Sequence, residues 1–192
     1  MYGYHGKILK VDLSKREMKD IELKEEDAKK FIGGAGLAAK LFYPLMTNNL
    51  DPLGPENPLA FMTGPLQGAP IPGAGRYAVC AKSPLTGIWG EATSGGFFCV
   101  FLKFAGYDGV IITGSSKKPV YLYVHEGDTE IKDAFHLWGK GFYETRDILK
   151  EEVGEKRARV AAIGQAGENL VRYAAVMNDH GRAAGRCGMG AV

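Results

Sequence analysis

Glycine supplies 27 of the 192 residues, about twice its usual share, and this constrains the chain more than any other feature. The glycines run the whole length without a three-residue period, which excludes a collagen-like helix. Each frees the backbone to adopt positive φ or to pass close to a neighbour. The chain must therefore turn often and pack backbone against backbone. A concentrated group lies near the C-terminal end: Gly181, Gly185, Gly188 and Gly190 surround Arg182 and Arg186, with Ala183, Ala184 and Ala191 between them. Bare amides can approach a ligand there, and arginine adds a planar, permanently charged fork suited to phosphate or carboxylate. Taken alone, the stretch fits an anion cradle and a glycine-rich turn with two solvated arginines equally well.

A chain of this length can bury about 70% of its unfolded surface, enough for a real core. No repeat, low-complexity segment or linker divides it, so residues 1–192 read as a single domain. The net charge of +2 is too balanced for nucleic-acid or membrane-surface binding by electrostatics alone. From Lys156 onward, however, six basic residues (Lys156, Arg157, Arg159, Arg172, Arg182, Arg186) face only Glu168 and Asp179. The basic end is the glycine-rich end, which favours a small anionic ligand. Cys80, Cys99 and Cys187 are odd in number and far apart, and no C-x-x-C exists to build a zinc ribbon or iron–sulfur site within the chain. A reducing, cytoplasmic compartment fits them. The N-terminus has no signal pattern, and the longest apolar run, residues 97–102, is too short to span a bilayer.

Periodicity predicts strands at 9–13, 18–23, 59–63, 76–82, 88–92, 109–113, 120–125, 129–132, 159–163 and 170–177. On the strand at 76–82, Tyr77, Val79 and Ala81 share one face. Helices are expected at 25–32, around Leu37 to Phe42 before Pro44, at 97–104 and around Phe142 to Val153. Strands joined by tight turns with few helices give an α+β fold with mainly antiparallel sheet. Gly34-Ala35-Gly36-Leu37-Ala38-Ala39 matches G-x-G-x-x-A, but the segment before it is helical, whereas a dinucleotide fingerprint turns from strand into helix. It reads as a helix–helix connection.

Residues 64–75 form a long Gly/Pro loop of a kind that is often functional. Further on, Thr93-Ser94-Gly95-Gly96 precedes the apolar helix, with Ser94 as its expected N-cap and the glycines baring first-turn amides for an anion. An ordinary capped core helix would look the same. A Walker A loop and a G-x-S-x-G elbow are both absent. His5, His125, His136 and His180 have no metal-ligand spacing. The parts are those of a ligand-holding domain without its own catalytic apparatus.

These residues resemble the N-terminal domain of the tungsten-containing aldehyde:ferredoxin oxidoreductase family. The likeness is carried by MYGYHGKILKVDLS, DPLGPENPL, GRYAVCAKSPLTG, SGGFFCVFLKFAGYDG, KPVYLYV, AAIGQAGENLVRYAAVMND and GRAAGRCGMGAV, in the family's order and across the whole chain. The resemblance implies two mainly antiparallel β-sheets forming a base for tungsten held by two pyranopterins whose phosphates are bridged by Mg2+. It places Arg76, Thr93, Ser94, Gly95 and Gly96 on one side of the tungsten-bis(pyranopterin) cofactor. Arg182, Ala183, Gly185 and Arg186 lie on the other, with main-chain carbonyls at Thr93 and Ala183 as Mg2+ ligands. Thr93 stands where the family often has Asn, and His180-Gly181 reverses its frequent Gly-His, so His180 receives no role.

The family's [4Fe-4S] cysteines and substrate-pocket acid/base residues lie in later helical domains. The chain is accordingly expected to be a fragment or a split subunit lacking the first domain's last strand, inactive alone, with missing domains or a partner chain holding the cluster. The implied activity of the complete enzyme is oxidation of an aldehyde to a carboxylate with electrons passed to ferredoxin. Alternatives are a non-catalytic pterin-phosphate-binding module, or a family member that reduces an aromatic thioester or oxidises a sugar phosphate.

Overall fold

The computed structural model describes all 192 residues, Met1–Val192. β1 (Lys7–Asp12) and β2 (Glu17–Glu22) form an antiparallel hairpin whose turn holds Arg16 at positive φ. Helix α1 (Glu25–Phe31) carries three acids in its first turn and two lysines in its last, matching the helix dipole. Helix α2 (Gly34–Phe42) follows directly and gives way to a 3-10 turn at Pro44. The G-x-G-x-x-A stretch, expected to connect two helices, instead forms the first turns of α2 itself, and the connection is Ile32–Gly33.

β3 (Leu59–Met62), β4 (Tyr77–Lys82) and β5 (Trp89–Ser94) make an antiparallel meander. Helix α3 (Phe98–Phe104) returns the chain to β6 (Gly109–Thr113), which inserts parallel to β1 and antiparallel to β3. The resulting six-stranded sheet has the order β2-β1-β6-β3-β4-β5. A separate hairpin, β7 (Val120–His125) and β8 (Asp128–Asp133), turns at Glu126 and Gly127. Then come α4 (Phe142–Glu152), β9 (Ala161–Ala162), the short α5 (Gln165–Glu168), β10 (Val176–Asn178) and β11 (Arg182–Ala184). The last three strands form a small sheet in the order β11-β10-β9. The fold is α+β, and β1–β6 is its one parallel pair.

The two-residue period of each strand sorts the core into two faces. Ile8, Ala60, Met62, Ala78, Cys80 and Ile111 turn toward α1 and α2, where Ala28, Leu37, Ala38 and Phe42 cover them. Leu9, Val11, Tyr77, Val79, Ala81 and Val110 turn the other way, against Cys99 and Leu102 of α3 and Val176, Ala184 and Met189 of the C-terminal segment. Because both faces are covered, every residue of β4 is buried. This inner strand fixes Arg76, just ahead of it, in place.

Two expected strands come out differently. The one at 159–163 shortens to Ala161–Ala162. The one at 170–177 survives only from Val176, because residues 165–168 coil into a helical turn and Leu170 takes positive φ. Backbone that a strand would have paired is used locally instead: Val171 accepts from the Ala174 amide, and the Ala174 carbonyl accepts from Gly190 at 2.9 Å. This brings the glycine-rich tail back onto the domain. Gly188, at φ +71, passes so close to the Arg172 carbonyl that a Cβ could not fit. No helix is long and apolar enough to cross a membrane.

Candidate anion-binding site

Two walls define the site. The first is built by β4 and β5, whose register sets Tyr77 opposite Ser94 and Ala78 opposite Thr93. Alternation along β5 buries Ala92 and Ser94 and leaves Thr93 exposed between them. Arg76, exposed at the entry to β4, donates from Nη1 to Thr93 Oγ1 at 3.0 Å, so its guanidinium is tethered before any ligand arrives. The second wall is β11 with Gly181, Arg182 and Ala183, which packs against β5. Between them lies an open cavity of about 440 Å³, floored by Ser94, Gly95 and Gly96 and edged by Gly73 and Gly75 of the long loop. A smaller hollow of about 280 Å³ opens on the α1–α2 side, and Arg76 and Thr93 border both.

What ties the walls together is a buried pair, Asn178 and Asp179, at the turn between β10 and β11. Asn178 is fully buried. Its Oδ1 accepts from the Tyr77 hydroxyl at 3.0 Å and the Ser94 hydroxyl at 2.7 Å, while its Nδ2 donates to the Gly95 carbonyl at 2.9 Å and to Asp179 Oδ2 at 2.9 Å. The same Oδ2 accepts the amides of Phe97 at 2.6 Å and Phe98 at 3.2 Å. Gly96 (φ +94) must be glycine, since a Cβ there would overlap this carboxylate oxygen. Burial raises the Tyr77 hydroxyl pKa strongly, which keeps it a donor to Asn178. Burial likewise raises the Cys99 thiol well above its ordinary value, with the nearby Asp179 charge adding to the effect.

This pair corrects the sequence reading of α3. Ser94 is not the N-cap; the helix begins after Phe97 without a local side-chain cap, and Ser94 points its hydroxyl at Asn178. The first-turn amides are not open to an external anion either, because Asp179 already occupies them. A carboxylate at a helix start satisfies both orphan donors and the dipole at once, which a serine hydroxyl cannot match. The amides of Gly95 and Gly96, by contrast, make no hydrogen bond within the protein.

The structure brings Arg76, Thr93, Ser94, Gly95, Gly96, Arg182 and Ala183 to one cavity. Gly185 and Arg186 lie just past β11, exposed and outside that lining. The arginine ion pairs belong to Arg146, Arg157 and Arg159. Arg76 and Arg182 thus keep their charge uncommitted in a cavity where Ala183 is the one apolar side chain. Such a site suits a multiply charged oxyanion. No cluster of three or more His, Cys, Asp or Glu side chains could hold a metal ion. Asn178 and Asp179 escaped the sequence reading; an Asn-Asp pair before His180-Gly181 signals only a turn.

A model of the aldehyde ferredoxin oxidoreductase N-terminal domain matches residues 8–192. Over its whole length the chain is 52% identical to the tungsten-containing aldehyde ferredoxin oxidoreductases of Thermococcus kodakarensis and Pyrococcus abyssi, covering 32% of each. It is 41% identical to the Pyrococcus furiosus aliphatic sulfonate oxidoreductase, WOR-like subunit, covering 33% of it. Among solved structures, the active site complex BamBC of benzoyl coenzyme A reductase with 1,5-dienoyl-CoA superposes with a TM-score of 0.96 at 42% identity, over 99% of this chain and 29% of that one. The chain spans about a third of the length of the curated relatives it matches. A match this long, at this identity and on this fold, establishes that the chain belongs to the aldehyde ferredoxin oxidoreductase family and corresponds to its N-terminal domain.

Proposed function

We propose that the cavity holds the phosphate end of a tungsten-bis(pyranopterin) cofactor. The chain would then be the cofactor-binding part of an enzyme that oxidises an aldehyde to a carboxylate and passes electrons to ferredoxin. The observation that carries this reading is the pairing of two guanidiniums without a counter-ion, Arg76 and Arg182, with the free amides of Gly95 and Gly96 around one polar cavity. Phosphates need that donor set. Mg2+ between them would rest on the main-chain carbonyls of Thr93 and Ala183, the cavity having no carboxylate among its lining residues. Gly185 and Arg186, exposed immediately past β11, complete the proposed set.

When bound, the cofactor supplies two-electron oxygen-transfer chemistry at its metal. The protein's part is positional. Arg76 and Arg182 neutralise phosphate charge, Thr93 orients Arg76, and the glycines let the backbone approach. On this reading a [4Fe-4S] cluster and the groups that move substrate protons would come from further domains or a partner chain. The similarity to the benzoyl coenzyme A reductase complex favours one second reading, reduction of an aromatic thioester on the same cofactor base.

The test is pterin and tungsten content of the anaerobically purified protein. Arg182→Ala should lower pterin per polypeptide by about tenfold, in the range of losing one charge-assisted hydrogen-bonding side chain. Equal content in variant and parent, at matched stability, rejects the site.

A further inference from the structure

We infer that Asp179 is the positioning residue of this pocket, an internal anion that sets the spacing between its two walls. The inference rests on the cofactor reading above. Asp179 sits at the turn from β10 into β11, with positive φ, two residues before Gly181 and three before Arg182. Through Oδ2 it grips the Phe97 and Phe98 amides and the Asn178 side chain. The Gly95–Gly96 floor hangs from that grip, held a second time by Asn178 on the Gly95 carbonyl. One carboxylate therefore fixes the amide floor relative to the arginine wall.

Its other oxygen adds no hydrogen bond to the fold. Asp179 Oδ1 is buried without a hydrogen-bond partner, and so is Arg159 Nε. Arg159 Nη1 stands 3.9 Å from Oδ1, outside hydrogen-bond reach, while its guanidinium lies over the rings of Phe97 and Phe101 at 5.2 and 4.9 Å. Buried groups left unsatisfied are rare, and each calls for a reason. Oδ2 receives all the hydrogen bonds that this carboxylate accepts, and Oδ1 faces Arg159 across 3.9 Å. Asp179 takes the first-turn amides of α3, which would otherwise attract a phosphate. The ligand is thereby directed to Gly95, Gly96 and Arg182, in front of the helix rather than on it.

The test uses the complete cofactor-loaded protein and reads pterin per polypeptide by fluorescence after acid release. Asp179→Asn keeps one acceptor for the amides and gives up the charge. It should lose about tenfold of the pterin, as removal of an orienting group behind a ligand typically does. Leu23→Ala, on the opposite face of the sheet, serves as a destabilised control and should keep its pterin. Comparable loss in Asp179→Asn and in the control, at equal thermal stability, would reduce Asp179 to a structural residue and overturn the inference. Full pterin in Asp179→Asn alongside loss in Arg182→Ala overturns it too, while leaving the cofactor site standing. Full pterin in Arg182→Ala sinks the site itself. Should Asp179→Asn fail to fold, Ser94→Ala loosens Asn178 more gently. A loss of about threefold is then expected, since one neutral hydrogen bond is removed, and no loss decides against the proposal.

Discussion

Two buried carboxylates in this domain do similar local work and differ in how completely they are matched. Asp108 accepts the amides of His5, Gly6 and Lys7 at 3.2, 2.7 and 3.3 Å and pairs with Lys103 Nζ at 3.2 Å. Lys103 in turn donates to the Gly64 carbonyl at 2.8 Å. Both oxygens of Asp108 are engaged, and the cluster staples the N-terminus to α3 and to the long loop. Asp179 also caps amides, but with one oxygen only, and its nearest cation stays out of hydrogen-bond range. The closed cluster lies away from the cavity; the open one adjoins it. The difference shows where the fold has settled its charges and where it keeps one in reserve.

The comparison can be broken most directly at its closed member. Asp108→Ala leaves Lys103 buried without its counter-ion and should cost about 3–5 kcal/mol in chemical denaturation. Asp179→Ala, which strands two amides and frees no buried cation in hydrogen-bond contact, should cost less, about 1–3 kcal/mol. Equal costs would erase the distinction.

A pH experiment sharpens it further. Burial lowers the Lys103 pKa, with the Asp108 charge opposing the shift. Its folded pKa lies below its unfolded value, so the associated stability is present above the unfolded pKa and lost as pH falls through the folded one. Parent stability relative to Lys103→Met should therefore climb as pH rises toward 10.5, and a flat difference would contradict the assignment. The smallest stability effect is expected at Arg182→Ala: an exposed side chain with no internal partner should change unfolding by less than about 0.5 kcal/mol. A larger change would mean that Arg182 supports the fold as well as a ligand.

How far these features could be read in advance depends on distance along the chain. The faces of β4 followed from alternation of Tyr77, Val79 and Ala81 against Ala78 and Cys80, and the structure keeps that division. The residues of the two walls came from the family resemblance, since glycine and arginine together suit a solvated turn as well as a cradle; the structure gathers Arg76, Thr93–Gly96, Arg182 and Ala183 round one cavity. The N-cap of α3 was not legible. Serine is the best local candidate, yet the cap comes from Asp179, 82 residues beyond Phe97. A remote charge outweighs a nearby hydroxyl, and no periodicity records it. For the same reason the parallel β1–β6 pair, joining Ile8 to Gly109, left no local trace. The late start of β10 was over-read because Leu170 and Val171 look like strand residues while their amides close local turns onto Gly167 and Ala166.

The place of β6 in the large sheet also imposes an order of events. The β1–β2 hairpin and the β3–β4–β5 meander are each local, yet they share no edge until Gly109–Thr113 slides between them. Such long-range closure is slow compared with hairpin formation. During synthesis the sheet cannot be completed before Thr113 is available, and β11, made later still, can dock only on a β5 already in place. The Arg182 wall is therefore the last part of the cavity to arrive, and an open ledge becomes a two-walled cleft only when β11 docks.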